Sequence, residues 1–234
     1  MNIDYGRWYL TLPIDKDGKF KGEPKTVSPL TKDFVSDYFY YDSKLDLLLF
    51  VTPYNGVTTE NSENPRSELR EMLGGKKAAW KIKDGKTLKA GLMVLELPYI
   101  GDVWARVVIG QFHGPSDELC RLYYDNGVIY FMDDKSGDSK KETKFILKDK
   151  DGNQTKIKLG DYFEYVMEVK DGYLTVAVKH NGIVYAAQEK VGKFWLTSKM
   201  YFYSKAGNYL QRKTGKKVAK SGKSVVGFRY ITVS

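Results

Sequence analysis

Tyr162 to Gln188 read YFEYVMEVKDGYLTVAVKHNGIVYAAQ, three runs of β-forming residues joined by Asp-Gly and Asn-Gly. Two-residue connections of this kind, placed between alternating apolar residues, are typical of tight β-hairpins. In the first run the large apolar residues occupy every second position, at Phe163, Tyr165, Met167 and Val169. This alternation is typical of a strand with one face in the core and the other in water. The stretch therefore predicts a three-stranded antiparallel meander.

The rest of the chain continues the pattern. Asn-Gly also separates β-formers in YDNGVIYF (Tyr124 to Phe131), and helical periodicity is scarce. Further strands are predicted at LTLPI, DYFYYDSKLDLLLFVTP (two strands), RSELREM, LKAGLMVLEL, WARVVIGQFH, CRLYY, KFILK, KMYFYSKAGNYLQ and VGFRYITV. Many short strands at this spacing indicate an all-β protein, an antiparallel two-sheet β-sandwich of jelly-roll type. Because no linker, repeat or low-complexity segment divides the sequence, we predict one domain over residues 1–234.

Composition and charge narrow the class of partner. Hydrophobic residues make up 42% of the chain and charged residues 29%, which is ordinary for a globular protein in water. The longest apolar runs, such as LDLLLFV (Leu45 to Val51), are too short to span a membrane. The start, MNIDYGRWYL, lacks the basic and apolar stretches of a targeting segment. The net charge of +9 favours a polyanionic partner, although a solvated basic surface would explain it equally well.

Residues for metal or thiol chemistry are few. The single cysteine, Cys120, cannot form an internal disulfide, and its neighbours in ELCRLYY predict a small core residue on a strand. With only His113 and His180 besides, a zinc site of the Cys/His kind is not expected. The Asp-Lys-Asp-Gly segments at 15–18 and 149–152 lack the remaining ligands of a calcium loop and predict plain turns. No metal is therefore predicted.

Three strands carry polar side chains at alternate positions, so each set faces one side of its sheet. The sets are Arg66, Glu68 and Arg70; Gln111 and His113; and Lys205, Gly207, Tyr209 and Gln211. Taken singly, each set has an ordinary structural explanation: a surface ion-pair ladder, a structural histidine and a packed tyrosine. If the three strands share one concave sheet, however, these side chains line one groove.

The combined set favours one kind of chemistry. Glycoside hydrolysis needs two carboxylates, and only Glu68 is present, between arginines that would hold it ionised. The set suits β-elimination on a uronic acid, in which the C5 proton is removed while the C4–O bond breaks. Arg and Gln donors would stabilise the dianion that develops on the substrate carboxylate. A phenol or an imidazole would then act as base and acid.

The same residues resemble the signature blocks of the alginate lyases of polysaccharide lyase family 7. Those blocks have the forms R-[ST]-E-[LV]-R-E, Q-[IV]-H and Y-F-K-A-G-x-Y-x-Q, and here they stand as RSELRE, QFH and YSKAGNYLQ. The flanks WYLTLPID and PYNGVTTENSENPRSELREM agree too, so the resemblance runs from about Trp8 to Gln211. It implies a β-jelly roll with a long groove on its concave sheet. It also implies endolytic eliminative cleavage without a redox cofactor or an obligatory metal.

The resemblance also implies residue roles. The catalytic positions of the family correspond to Arg66, Gln111, His113 and Tyr209. Supporting positions in substrate binding correspond to Glu68, Arg70, Lys205 and Gln211. In such lyases the tyrosine acts as acid, and also as base on mannuronate, whereas the histidine is the base on guluronate.

Two positions depart from the family pattern. Phe112 stands where Ile or Val is usual, at a position linked in the family to preference for guluronate- or mannuronate-rich blocks. Block preference is therefore left open. Ser204 replaces the usual Phe before Lys205 and points away from the groove by parity, so we expect a change in packing.

Two other functions share these features. A lyase for another polyuronate, such as glucuronan, would need the same groove, and so would a non-catalytic module that binds acidic polysaccharides. A nucleic-acid binder is not expected because no recognition signature is present. We expect a monomer that acts on an acidic polysaccharide, without nucleic-acid or membrane partners. A polymeric substrate predicts an extracellular or periplasmic location.

Overall fold

The computed structural model describes residues 2–115, 117–134, 141–197, 199–214 and 216–234. The strands are β1 (Asn2–Ile3), β2 (Trp8–Thr11), β3 (Thr26–Val27), β4 (Phe39–Asp42), β5 (Leu47–Pro53), β6 (Arg66–Leu73), β7 (Lys76–Lys77), β8 (Lys86–Glu96), β9 (Tyr99–Ile100), β10 (Val103–Trp104), β11 (Arg106–His113), β12 (Glu118–Asp125), β13 (Val128–Asp133), β14 (Thr143–Ile146), β15 (Tyr162–Lys170), β16 (Tyr173–His180), β17 (Ile183–Lys190), β18 (Tyr203–Gln211), β19 (Lys213–Thr214), β20 (Lys217–Val218) and β21 (Lys223–Val233). Short 3-10 helices span Tyr5–Arg7, Ile82–Asp84 and Lys193–Leu196. Within these described ranges there is no helix that could cross a membrane.

Two large sheets form the architecture. The nine-stranded sheet has the order β14-β13-β12-β11-β18-β6-β2-β3, with β7 on β6. The eight-stranded sheet has the order β17-β16-β15-β8-β21-β5-β4, with β1 on β21. All pairs are antiparallel except β1 with β21, and the small hairpins β9–β10 and β19–β20 stand apart. The sheets are not closed into a barrel, and the predicted jelly-roll sandwich is confirmed.

The predicted meander is present as β15, β16 and β17. Its turns place Asp171 and Asn181 at φ 49°, and each following glycine also has a positive φ. Two consecutive residues in this region define the type I′ turn, which Asn-Gly and Asp-Gly adopt at low cost. Asn126 and Gly127 do the same between β12 and β13. Local turn chemistry therefore fixes the register of three hairpins.

The core lies between the two sheets. The predicted inward set of β15, from Phe163 to Val169, is completely buried. Trp80 packs edge-on against Phe112 and lies against Phe202, which closes one part of the core. Cys120 is buried there as well, and burial raises the pKa of its thiol well above the ordinary value. The prediction that Cys120 is a core residue is confirmed.

The strand that carries the longest polar row, β18, is fixed by close contacts. Asn208 Nδ2 donates to Phe50 O and Ser224 O, both at 2.8 Å, which ties β18 to the eight-stranded sheet. Gly207 has φ 148°, and a Cβ there would lie 2.7 Å from Ser67 O. The glycine therefore allows the close approach of β6.

Some boundaries differ from the prediction. WARVVIGQFH is interrupted at Ala105, which follows the β9–β10 hairpin, and a bulge near Gly110 shifts the β11 register. The two Asp-Lys-Asp-Gly segments are turns, as predicted. In each, an aspartate Oδ1 accepts two backbone N–H groups, at Asp15 and at Asp149. The short strands of two residues carry too little pattern for prediction.

Candidate active site

Strand pairing brings the three polar sets together. β18 lies between β6 and β11 in the nine-stranded sheet. Lys205 pairs with Arg70 on one side and Gln111 on the other, and Tyr209 pairs with Arg66. The residues that alternate with them point into the core, among them Leu69, Phe112 and Ala206. The polar sets therefore share the face that turns away from the core.

Glu68 is the centre of an ion cluster on this face. Arg66 Nη1 donates to Glu68 Oε2 at 3.0 Å, and Lys205 Nζ lies 2.7 Å from the same oxygen. Gln111 Nε2 donates to the other carboxylate oxygen. Glu68 is only 2% exposed, so its contacts are to these three donors. The carboxylate thereby fixes the positions of two cations and one amide.

Burial and charge act against each other in the cluster. Burial alone would raise the pKa of Glu68, but Lys205 and Arg66 together hold it below its ordinary value. Burial lowers the pKa of Lys205 to about 8, with Arg66 adding to the shift and Glu68 opposing it. At pH 7 Glu68 is ionised and Lys205 is mostly protonated. With Arg70, the floor has three cations and one carboxylate, a formal charge of 3 − 1 = +2.

Tyr209 lies beside this cluster. The Arg66 guanidinium carbon is 3.8 Å from the centroid of the Tyr209 ring, a cation–π contact. The Tyr209 hydroxyl is 3.0 Å from Ser62 Oγ, which comes from the loop between β5 and β6. The ring and the hydroxyl are therefore both held by polar groups of the site.

His113 presents an unprotonated nitrogen. Its Nδ1 is 2.7 Å from Gly114 O, and because a carbonyl only accepts, Nδ1 carries the proton. Nε2 is then the acceptor nitrogen, and it lies 3.7 Å from Glu118 Oε1. Burial, together with the nearby positive charge of Lys205, lowers the pKa of His113 to about 4. At neutral pH Nε2 is therefore a free base.

An aromatic residue orients both His113 and Arg70. The His113 and Tyr203 rings stack with centroids 5.0 Å apart and planes 12° apart. The Arg70 guanidinium carbon lies 3.6 Å from the Tyr203 centroid, and Arg70 Nη1 donates to Tyr9 Oη at 3.5 Å. Burial raises the pKa of Tyr203 to about 12, although Arg70 opposes the shift. Tyr203 therefore stays a neutral packing surface at working pH.

An open cavity of about 840 Å³ lies over these groups. Five of the predicted residues line it: Arg66, Arg70, His113, Lys205 and Tyr209. The other predicted residues lie beneath or beside it. Glu68 and the completely buried Gln111 are held in the ion cluster, whereas Gln211 is 6% exposed and donates to Tyr209 O at 3.5 Å.

The cavity also contains residues that the sequence prediction did not include, among them Tyr9, Ser62, Glu118, Arg121 and Tyr203. Tyr203 continues the alternate row of β18 by one step, and Arg121 starts a similar row on β12, so both could have been found by extending the pattern. Ser62 comes from a loop, where no periodicity points to it. Among the described residues, no group of three or more His, Cys, Asp or Glu could hold a metal ion.

The fold and the cavity define a class of protein, a polysaccharide lyase on a jelly-roll sandwich. Comparison with known proteins agrees. The alginate lyase family model matches residues 3–234. An alginate lyase from Klebsiella pneumoniae is 30% identical over 257 residues, covering 89% of this chain and 83% of the relative.

Solved structures give the same result. An alginate lyase from Pseudomonas aeruginosa superimposes with a TM-score of 0.80 and 29% identity, covering 99% of both chains. Alginate lyase A1-II', a member of polysaccharide lyase family 7, gives a TM-score of 0.78 and 29% identity, covering 100% of this chain and 96% of that one. The chain belongs to the alginate lyase family, within polysaccharide lyase family 7.

Proposed function

We propose that this protein cleaves alginate by β-elimination in the cavity lined by Arg66, His113 and Tyr209. The observation that carries the proposal is His113 Nε2, which is held unprotonated beside a floor of net charge +2. A histidine that takes the C5 proton must be unprotonated, and the floor must stabilise negative charge. Burial and the nearby cations both lower the pKa of His113, so the same surroundings meet the two requirements.

The substrate carboxylate would sit over the ion cluster. When the C5 proton leaves, this carboxylate acquires a second negative charge, and the +2 floor of Arg66, Arg70 and Lys205 over Glu68 matches it in magnitude. Because Glu68 already fixes Arg66 and Lys205, and Tyr203 holds Arg70, these donors need little reorganisation during the reaction. We assign Gln111 to this group through its hydrogen bond to Glu68.

The proton transfers would use the two groups at the cavity surface. On guluronate, His113 Nε2 takes the C5 proton while the C4–O bond breaks and the C4–C5 double bond forms. Tyr209 gives its hydroxyl proton to the leaving oxygen. On mannuronate, Tyr209 would serve as base as well as acid. Lys205 and Arg70 would bind uronate carboxylates, and Gln211 would support Tyr209 from β18.

We also propose a location, a domain organisation and an oligomeric state for the protein. A polymer of uronate is met outside the cytoplasm, so we propose an extracellular or periplasmic site of action. We further propose that residues 1–234 work as one catalytic domain and as a monomer. Size-exclusion chromatography with light scattering would give a mass near 26.8 kDa.

The proposal is tested by following ultraviolet absorbance from the new double bond with polymannuronate, polyguluronate and glucuronan in separate reactions. We expect a rise with at least one of the first two polymers, and the faster one gives the block preference. A faster reaction on glucuronan would reassign the substrate. Binding of all three polymers without any rise in absorbance would overturn catalysis in favour of a binding module.

A further inference from the structure

The hydroxyl of Tyr209 has a partner that the family blocks do not contain. Ser62 Oγ lies 3.0 Å from Tyr209 Oη, and Ser62 is half-buried at the edge of the cavity. Ser62 belongs to the loop that leads into β6, whereas Tyr209 is on β18. A contact between a loop hydroxyl and the proposed proton-transfer group can influence the reaction directly.

The other hydrogen bonds of Ser62 allow its hydroxyl to exchange one hydrogen-bond partner for another. Asn64 N donates to Ser62 Oγ at 3.0 Å, and Ser62 Oγ can donate to Asn64 O at 3.1 Å. A serine hydroxyl has one proton and two acceptor sites. Asn64 N–H occupies one acceptor site, so the second can accept the Tyr209 O–H while the serine proton points at Asn64 O.

We infer that Ser62 is a positioning residue for Tyr209 that reverses its hydrogen bond when Tyr209 changes protonation state. Ser62 accepts from the neutral phenol and donates to the phenolate. This inference rests on the proposed function, since it takes Tyr209 as the group that transfers the proton.

The exchange is balanced in protons. When Tyr209 protonates the leaving oxygen, its O–H bond breaks and a phenolate oxygen remains. The Ser62 O–H then rotates from Asn64 O to that oxygen, so Ser62 keeps Asn64 N–H and the phenolate as partners and gives up its bond to Asn64 O. The reverse rotation follows when Tyr209 regains a proton from C5 of mannuronate or from water. No additional reactant is needed.

A purely structural role for Ser62 predicts something different. Ser62 also closes the turn at 62–64, and its loss would loosen the loop. Asn64 offers a matched control, because its side-chain Oδ1 accepts from Arg212 N at 3.0 Å and holds the same loop without contacting Tyr209. Asn64→Ala therefore disturbs the loop and leaves the Tyr209 contact in place.

Loosening of the loop would not shift the pH dependence of the rate, so this dependence separates the two roles of Ser62. A hydrogen bond to the charged phenolate is stronger than one to the neutral phenol, so losing Ser62 penalises the phenolate more. Arg66, Tyr123 and Tyr130 pack against Tyr209. The other charged and titratable groups that line the same cavity are Tyr9, Glu60, Arg70, His113, Asp117, Glu118, Arg121, Tyr203 and Lys205. None of them is altered by Ser62→Ala, so a shift of the rate profile reports on the serine.

The experiment compares wild type, Ser62→Ala, Ser62→Thr and Asn64→Ala on polymannuronate across pH. We expect Ser62→Ala to lower kcat about tenfold with little change in KM, as fits the loss of one hydrogen bond to a charged group. The pH at which the rate on polymannuronate rises should be higher in Ser62→Ala than in wild type. Ser62→Thr keeps the hydroxyl and should recover most of the rate, while Asn64→Ala should stay close to wild type.

Three results would overturn the inference: an unchanged rate and profile in Ser62→Ala, an equal loss in Asn64→Ala, or a loss carried by KM alone. Failure of the proposed function is recognised separately. In that case the wild-type protein itself produces no double-bond absorbance on any polyuronate, whatever the serine variants do.

Discussion

Strands β15 and β18 are both nine residues long and both lie inside large sheets, yet their burial differs. In β15 buried residues alternate with half-buried ones, as in any sheet with one wet face. In β18 every residue from Ser204 to Gln211 is buried, including Lys205 and Tyr209. The outer face of β18 is thus covered by polar neighbours, although polar faces of sheets are normally hydrated.

The difference raises the question of what the buried charges on the nine-stranded sheet do to stability. Burying a charge costs free energy that an ion pair often does not fully return. On β6, Glu68 and Glu71 are 2% and 1% exposed, and Glu71 is surrounded by Lys86 at 2.5 Å and Arg7 at 3.4 Å. Well-packed apolar residues would be at least as stable in such places. Because Glu68 holds Arg66 and Lys205 beneath the cavity, we propose that its charge serves the reaction at a cost in stability.

The largest expected effect is on kcat and comes from removing one phenolic oxygen from β18. Removing one phenolic oxygen from β15 is the comparison. Tyr209→Phe keeps the ring under Arg66 but loses the hydroxyl, so we expect kcat to fall about a thousandfold, as for loss of a general acid–base group. Tyr165→Phe on β15 removes the bond from Tyr165 Oη to Ile109 O at 3.0 Å. That change should cost about 1 kcal/mol of stability and leave kcat within about twofold.

Double-bond absorbance and urea unfolding measure the two quantities. Binding of oligouronate to Tyr209→Phe serves as the control for an intact groove. If Tyr209→Phe retained near-normal turnover, Tyr209 would not be the proton-transfer group, and the burial of β18 would need another explanation.

The next effect concerns the buried acids. Glu68→Gln leaves Arg66 and Lys205 without their carboxylate, so we expect a loss of about 3 kcal/mol in the free energy of unfolding. Glu168→Gln on β15 is the matched change, because Glu168 is half-buried and accepts a long bond from Thr87 Oγ1 at 3.4 Å. It should cost less than about 0.5 kcal/mol.

Urea denaturation at constant pH compares the two variants through their midpoints and slopes. Equal losses would mean that the Glu68 cluster is no more tightly coupled than a pair at the sheet surface.

The third effect is on the pH profile. Since burial lowers the pKa of His113 to about 4, Nε2 stays unprotonated as the pH falls through the ordinary range of histidine. Protonation removes the base, so kcat/KM on polyguluronate should fall only as the pH approaches about 4, and then about tenfold per unit. Circular dichroism at each pH confirms that the fold is intact. An acid limb near 6.5, the ordinary value for histidine, would show that His113 is solvated or is not the base.

The fold was predictable because its determinants are local. Asn126-Gly127, Asp171-Gly172 and Asn181-Gly182 fix three hairpins by backbone conformation alone, and the period-two rows identify which faces lie outward. Short strands such as β7 and β9 were not predictable, since two residues carry no periodicity.

The sequence pattern predicted which residues belong to the site, but not how deeply each of them is buried. Alternation places Glu68 and Gln111 on the outer face, yet only the packed structure shows that they lie beneath the cavity, in contact with each other. Tyr203 was within reach of the pattern, one step along β18. Ser62 was not, because its position depends on how a loop folds back onto another strand, which involves residues 147 apart in sequence.

The smallest effect tests whether the two faces of the nine-stranded sheet are independent. Phe112 is completely buried on the core face, with its ring centroid 5.2 Å from that of Trp80. Phe112→Ile should therefore cost about 1–2 kcal/mol of stability through lost packing. Phe163→Ile on β15 is the matched core change, and thermal unfolding should show a similar loss. Because neither change touches the cavity, we expect the rates on polymannuronate and polyguluronate to change by the same factor. A changed ratio in Phe112→Ile alone would mean that packing under β11 shifts Gln111 and His113, and that block preference is set from the core side.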